Sequence, residues 1–117
     1  VNRILAVGFG GMAGALLRTW IYAAVPGGFG IWTVNLAGSF LIGAAAAKLA
    51  GKPAELRLFV STGLIGSFTT FSAFSSDWFH YLERSLMEGI AFAVCMTAGS
   101  IAAAAFGLWA GRKGGRL

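Results

Sequence analysis

Residues 58 to 76 carry no charged side chain, a run long enough to cross the hydrocarbon core of a bilayer. The middle of that run is nevertheless built from residues that weaken a helix: Gly63-Leu64-Ile65-Gly66-Ser67-Phe68-Thr69-Thr70-Phe71-Ser72-Ala73-Phe74-Ser75. In lipid, non-helical backbone survives only where protein or a water-filled path satisfies its polar groups. A broken span of this kind must therefore line something, and whatever it lines is the place to look for function.

The rest of the chain agrees with a membrane setting. Of its 117 residues, 57% are hydrophobic, more than a soluble domain of this size can hide. Uncharged runs cover residues 4–17, 19–47, 58–76 and 89–111, and Pro26-Gly27-Gly28 divides the second into two spans. The pattern predicts an all-α integral membrane protein, a single domain over 1–117. Its four transmembrane helices are expected at about 3–24, 31–50, 56–83 and 88–111, the third broken near 66–70. The net charge of +5 sits at span ends rather than in a basic stripe with interleaved aromatics, which argues against nucleic acid. Cys95 is the only cysteine, so no intramolecular disulfide and no cysteine metal cluster is expected, and it reads as a small buried apolar residue. Arg3 and the apolar run behind it imitate a secretory leader, but Arg18 interrupts the run and further spans follow.

Four spans place both termini and the loop between the second and third helices on one side. That side holds Arg3, Lys48, Lys52, Arg57, Arg112, Lys113 and Arg116. The other holds Arg84, and Arg18 if it is counted. The positive-inside rule then predicts cytoplasmic termini and a single preferred orientation.

Small residues crowd the helices. Gly10–Gly14 and Gly107–Gly111 have the spacing that lets helix backbones approach closely. Because four helices enclose little space, a dimer is expected, although the same glycines could serve packing within one subunit. At a break, the first half-helix ends in unpaired carbonyls that suit a cation. The second begins with unpaired N–H groups that suit an anion. Gly66 is expected to supply the unusual backbone angles of the turn, with the carbonyls of Gly66 and Thr69 facing a central cation. Phe71 and Phe74 share a helix face, and their ring edges are electropositive. Thr70, Ser72, Ser75 and Asn35 add neutral donors. Together these groups describe a path for a small hydrated anion with no fixed charge to trap it. Taken singly, a phenylalanine pair reads as core, Asn35 as an interhelical hydrogen bond and the threonine pair as a capped kink.

These motifs resemble those of the Fluc (CrcB) fluoride channel family. The likeness is carried by Gly14-Ala15-Leu16-Leu17-Arg18, by Asn35-Leu36-Ala37-Gly38 and by Thr62-Gly63 through Ser75, which contains the family's Gly-x-x-Thr-Thr-Phe-Ser-x-Phe-Ser pattern. The resemblance implies four-helix subunits in an antiparallel dimer with two fluoride pores, passively exporting fluoride across the inner (plasma) membrane of a prokaryote. It implies a fluoride path at Asn35, Thr70, Phe71, Phe74, Ser75 and Ser100. It also implies a structural sodium ion at the dimer interface on the carbonyls of Gly66 and Thr69. No enzymatic activity is implied.

Two features depart from the family pattern. Anchored on Gly99-Ser100, the expected polar track of the fourth helix becomes Phe92, Met96, Ser100 and Ala104, with one hydroxyl left. The lopsided Lys/Arg distribution favours pairing with an oppositely oriented homologous subunit over a homodimer. A purely structural partner subunit is the alternative. A proton-coupled multidrug transporter would need an embedded carboxylate, and Asp77 is the only acid near a span interior. His80, the single histidine, has no catalytic partner spacing around it. Arg18 could orient the subunit, attract anions to a vestibule or cap a helix, and the sequence does not separate these. The role of Asp77 is equally open.

Overall fold

Three spans are uninterrupted helices and one is assembled from pieces. In the computed structural model, which describes residues 2–115, α1 runs Asn2–Ala24, α2 Phe29–Lys48 and α6 Leu86–Gly115. The third span begins as α3 (Ala54–Arg57), widens into a π-helix (Leu58–Ile65) and tightens again as α4 (Gly66–Phe68). It breaks at Thr69–Thr70 and resumes as α5 (Phe71–Arg84). Four helical stretches are long and apolar enough to cross a membrane, and no strand occurs among the described residues, so the chain is an all-α, multi-pass membrane protein. Arg116, one of the basic residues in the orientation count, lies outside the described residues.

Local chemistry sets the ends. Gly27 (φ 69°) and Gly51 (φ 81°) adopt the left-handed conformation that turns the chain back after α1 and after α2. Pro53 precedes α3 with an extended backbone. Between α5 and α6 one residue suffices. Ser85 is extended, its N–H closes the last turn of α5 on the Tyr81 carbonyl, and its hydroxyl accepts from the Glu88 N–H at 3.4 Å.

The helices pack as two pairs. In one, α2 lies on α6 with backbone against backbone. A Cβ placed on Gly107 would strike the Phe40 carbonyl, and one on Gly43 the Ala104 carbonyl. In the other, α1 lies on the first half of the third span. Gly10 and Gly14 meet the carbonyls of Phe59 and Leu64, and Gly63 meets the Val7 carbonyl. Both small-residue spacings read as candidate dimer seams are thus occupied inside the subunit. Lipid tails are as apolar as leucine, so spans associate through such close van der Waals approach rather than through hydrophobic burial.

The break lets the third span change partners. Its first half belongs to α1 and its second half, α5, packs on α6. The joint is an aromatic cluster in which Phe92 meets Phe74 (ring centroids 5.4 Å), Tyr81 (4.7 Å) and Trp32 (5.5 Å, edge to face), with Ile31 and Met96 buried beside it. Most other large apolar side chains face outward, as Ile4 and Leu16 do at 76% and 71% exposure, which suits a surface solvated by lipid. Cys95 is also exposed, correcting the buried position expected for it, because α6 turns that face away from α2 and α5.

Replacing Gly107 with valine is expected to lower stability by about 1–3 kcal/mol, because neither helix backbone at the contact can yield. Gly8→Val, where a Cβ meets nothing within 4 Å, is expected to behave as the parent protein. Unfolding in detergent, followed by circular dichroism, distinguishes the two.

Candidate functional site

Asn35 makes the break. Its side-chain Oδ1 accepts the Thr70 N–H at 2.9 Å, and its Nδ2 donates to the Thr70 carbonyl at 3.1 Å. One side-chain amide therefore pairs with both polar groups of Thr70, as a neighbouring strand would. This holds Thr69 and Thr70 extended (φ −79°, ψ 161° and φ −145°, ψ 123°). Gly38, one turn along α2, leaves the room that the Thr69 methyl group fills. Gly66 does not supply the turn expected of it. Its backbone is ordinary helix (φ −60°, ψ −35°), and the bend falls three residues later.

Of the four N–H groups displaced by the break, those of residues 70 to 73, two are taken up by side chains. The donor due to the Gly66 carbonyl is the Thr70 N–H, which goes to Asn35. The donor due to the Thr69 carbonyl is the Ala73 N–H, which goes to Thr70 Oγ1 at 3.2 Å. Thr70 is thus the N-cap of α5, and its hydroxyl also meets Ser72 Oγ at 3.1 Å. Between the two freed carbonyls, that of Ser67 accepts from Arg18 Nη1 at 2.9 Å. Of the three roles open to Arg18, the structure displays the cap: a cation on the negative end of the short helix α4.

A groove of about 470 Å³ opens beside the break. Its walls include Asn35, Gly38 and Ser39 from α2; Ser61, Ile65, Gly66, Thr69, Thr70, Phe71 and Phe74 from the third span; and Met96, Thr97 and Ser100 from α6. No charged side chain lines it. Thr70 is buried, whereas Phe71 is 78% exposed at the edge of the groove. The Phe71 and Phe74 rings lie on one helix face with centroids 5.8 Å apart, and Phe74 continues into the aromatic cluster.

The structure therefore gathers Asn35, Thr70, Phe71, Phe74, Ser100, Gly66 and Thr69 around one space, and leaves Ser75 out of it. Arg18 and Asp77 are likewise not among the lining residues. Of the expected face of the fourth helix, Met96 and Ser100 line the groove and Phe92 is core, while Thr97 joins them and restores a second hydroxyl. Ser39 and Ser61 were also missed. Ser39 follows the Asn35-to-Gly38 motif directly and lies four residues, one helical turn, from Asn35. Nothing local marks Ser61.

Comparison with known proteins gives the family. Residues 5–111 match the family described as CrcB-like protein, Camphor Resistance (CrcB). A protein of Rhizobium meliloti (strain 1021) named fluoride-specific ion channel FluC is 40% identical over 119 residues, covering 92% of this chain and 94% of the relative. A relative of the same name from Thiobacillus denitrificans is 41% identical over 120 residues, covering 93% and 95%. One from the archaeon Methanococcus maripaludis is 42% identical over 91 residues, covering 73% and 75%. With the family matched across nearly all of the described spans and relatives aligned over most of their length, this chain belongs to the CrcB-like family.

Proposed function

We propose that this protein is a subunit of a passive fluoride channel that releases cytoplasmic fluoride across the inner membrane of a prokaryote. The observation that carries this reading is the groove at the broken span, walled by neutral donors and aromatic rings and free of charged side chains. A small anion entering it exchanges water for hydroxyls, for the second Nδ2 hydrogen of Asn35 and for ring edges. With no lysine or arginine in the wall, nothing holds the ion too tightly to leave. With no titratable group in the wall, nothing couples its passage to protons, which separates this reading from a proton-driven transporter. The names of the relatives support fluoride as the ion.

Asn35, Thr70, Phe71, Phe74 and Ser100 are the residues of the proposed path, with Thr97 added from the fold. Ser75 contributes only if a second subunit brings it into reach. The 78% exposure of Phe71 at the groove edge supports completion of the path by an antiparallel partner. At that seam the carbonyls of Gly66 and Thr69 are the residues' offering to a sodium ion. Both carbonyls have lost the helical donors due to them, and both residues line the groove. Bound there, sodium would supply a fixed positive charge joining the two subunits. The excess of Lys/Arg at the end carrying Arg3, Lys48, Lys52, Arg57, Arg112 and Lys113 supports cytoplasmic termini and one orientation, and hence a partner chain inserted the opposite way.

Protein co-reconstituted in liposomes with an oppositely oriented homologous subunit is expected to release fluoride and to retain chloride. Comparable chloride release would overturn the reading. Phe74→Ile is expected to slow fluoride release about tenfold or more, the scale set by one lost charge-assisted contact of roughly 1.5 kcal/mol. Asn35→Asp, which cannot donate to Thr70 and adds a negative charge beside the path, is expected to abolish release.

The assembly is tested separately. Expressed alone, the chain is expected to give little fluoride conductance, and co-expression with an oppositely oriented homologue is expected to restore it. Full conductance from this chain alone would establish a homodimer instead.

A further inference from the structure

Away from the broken span, two cavities adjoin at the end where α1 begins, α2 finishes and α3 starts. The first, about 600 Å³, is lined by Arg3, Arg57, Ser61 and Thr62 against a wall of alanines and leucines from the end of α2, the loop after it and the start of the third span. The second, about 490 Å³, is walled by Ile4, Val7 and Gly8 and has no polar side chain except Arg3 at its rim. The two share Arg3 and Leu58, and no acidic side chain lines either.

The pairing of a doubly cationic cavity with an apolar one repeats the shape of a single molecule, a charged head on a hydrocarbon tail. It also sits at the correct depth. Arg3 and Arg57 lie at the ends of their spans, where hydrocarbon gives way to headgroups, and Lys52 stands in the adjoining loop. Arg57 is held in place, because its Nε donates to the Lys52 carbonyl at 3.1 Å, which leaves its terminal nitrogens for a ligand. A phosphate between two guanidinium groups is a favoured geometry for bidentate hydrogen bonding. The space over Gly8 is open, since a Cβ there would meet nothing within 4 Å.

We propose that these cavities form a binding site for one anionic phospholipid. Its phosphate lies between Arg3 and Arg57, with Ser61 and Thr62 donating to the headgroup, and an acyl chain runs along Gly8 beneath Leu58. The site is separate from the broken-span groove and does not depend on what that groove conducts. Ser61 borders both, so an anionic lipid would stand at the near end of the groove. A small-anion vestibule would use the arginines but would leave the apolar cavity without an occupant.

Native mass spectrometry of the full chain, released from mixed phosphatidylglycerol and phosphatidylcholine, tests the site. Phosphatidylglycerol is expected to be retained roughly tenfold better than phosphatidylcholine, a conservative figure for two arginines near the membrane surface. Arg57→Gln is expected to remove that preference. Gly8→Leu, which changes no charge, is expected to lower retention of phosphatidylglycerol by filling the tail cavity, with detergent unfolding unchanged. Equal retention of the two lipids by the parent protein would overturn the proposal. So would full retention by a folded Gly8→Leu, or displacement of the lipid by millimolar inorganic phosphate, which would assign the arginines to a small anion. Arg57→Gln tests the headgroup independently of whether Gly8→Leu folds.

Discussion

The two-point bond between the Asn35 side chain and the Thr70 backbone is the interaction on which the rest of this structure depends. An N–H or carbonyl left unpaired in hydrocarbon costs several kcal/mol, so a span cannot be interrupted without a substitute partner. Asn35 provides donor and acceptor together, at 3.1 and 2.9 Å, from a helix that α6 already fixes in place. Once Thr70 is held extended, its hydroxyl is positioned to cap α5, and the downstream half of the span can leave α1 for α6. The groove is the space that this change of partners leaves behind.

The two helix pairs are held by contacts of a different kind. Gly10, Gly14 and Gly63 on one side, and Gly43 and Gly107 on the other, bring backbones together so closely that a methyl group could not enter. These seams are rigid because no side chain rotamer can relax them. The groove lies between them, and its wall is made of hydroxyls, one amide and aromatic rings. Rigid seams around a neutral wall suit an ion that must be stripped of water yet not retained.

Much of this was legible in the residues, but not its cause. The uncharged runs reported four spans because span length is set by bilayer thickness, and the cluster from Gly63 to Ser75 located the interruption. The bend falls inside the expected stretch 66–70, but not at Gly66. Gly66 suggested a turn through its conformational freedom, whereas the bend at Thr69–Thr70 is imposed by a side chain 35 positions away. Local sequence does not report a bond of that range. The π-helix from Leu58 to Ile65 has no pattern of its own in an apolar stretch, since every register looks alike there. Gly10–Gly14 and Gly107–Gly111 were read correctly as close-approach sites, but spacing alone does not say which helix approaches. On α6, a spacing of four from Ser100 selected Met96. Successive residues on a helix are only about 100° apart, so Thr97 reaches the same groove from its margin.

The division between satisfied donors and freed acceptors has an outcome for how such a protein is made. At the kink, the N–H groups of Thr70 and Ala73 find oxygen partners within the same polypeptide, while the carbonyls of Gly66 and Thr69 retain lone pairs, and unpaired acceptors are the more tolerable of the two. A newly inserted copy can therefore set its bend as soon as α2 and the third span meet in the bilayer.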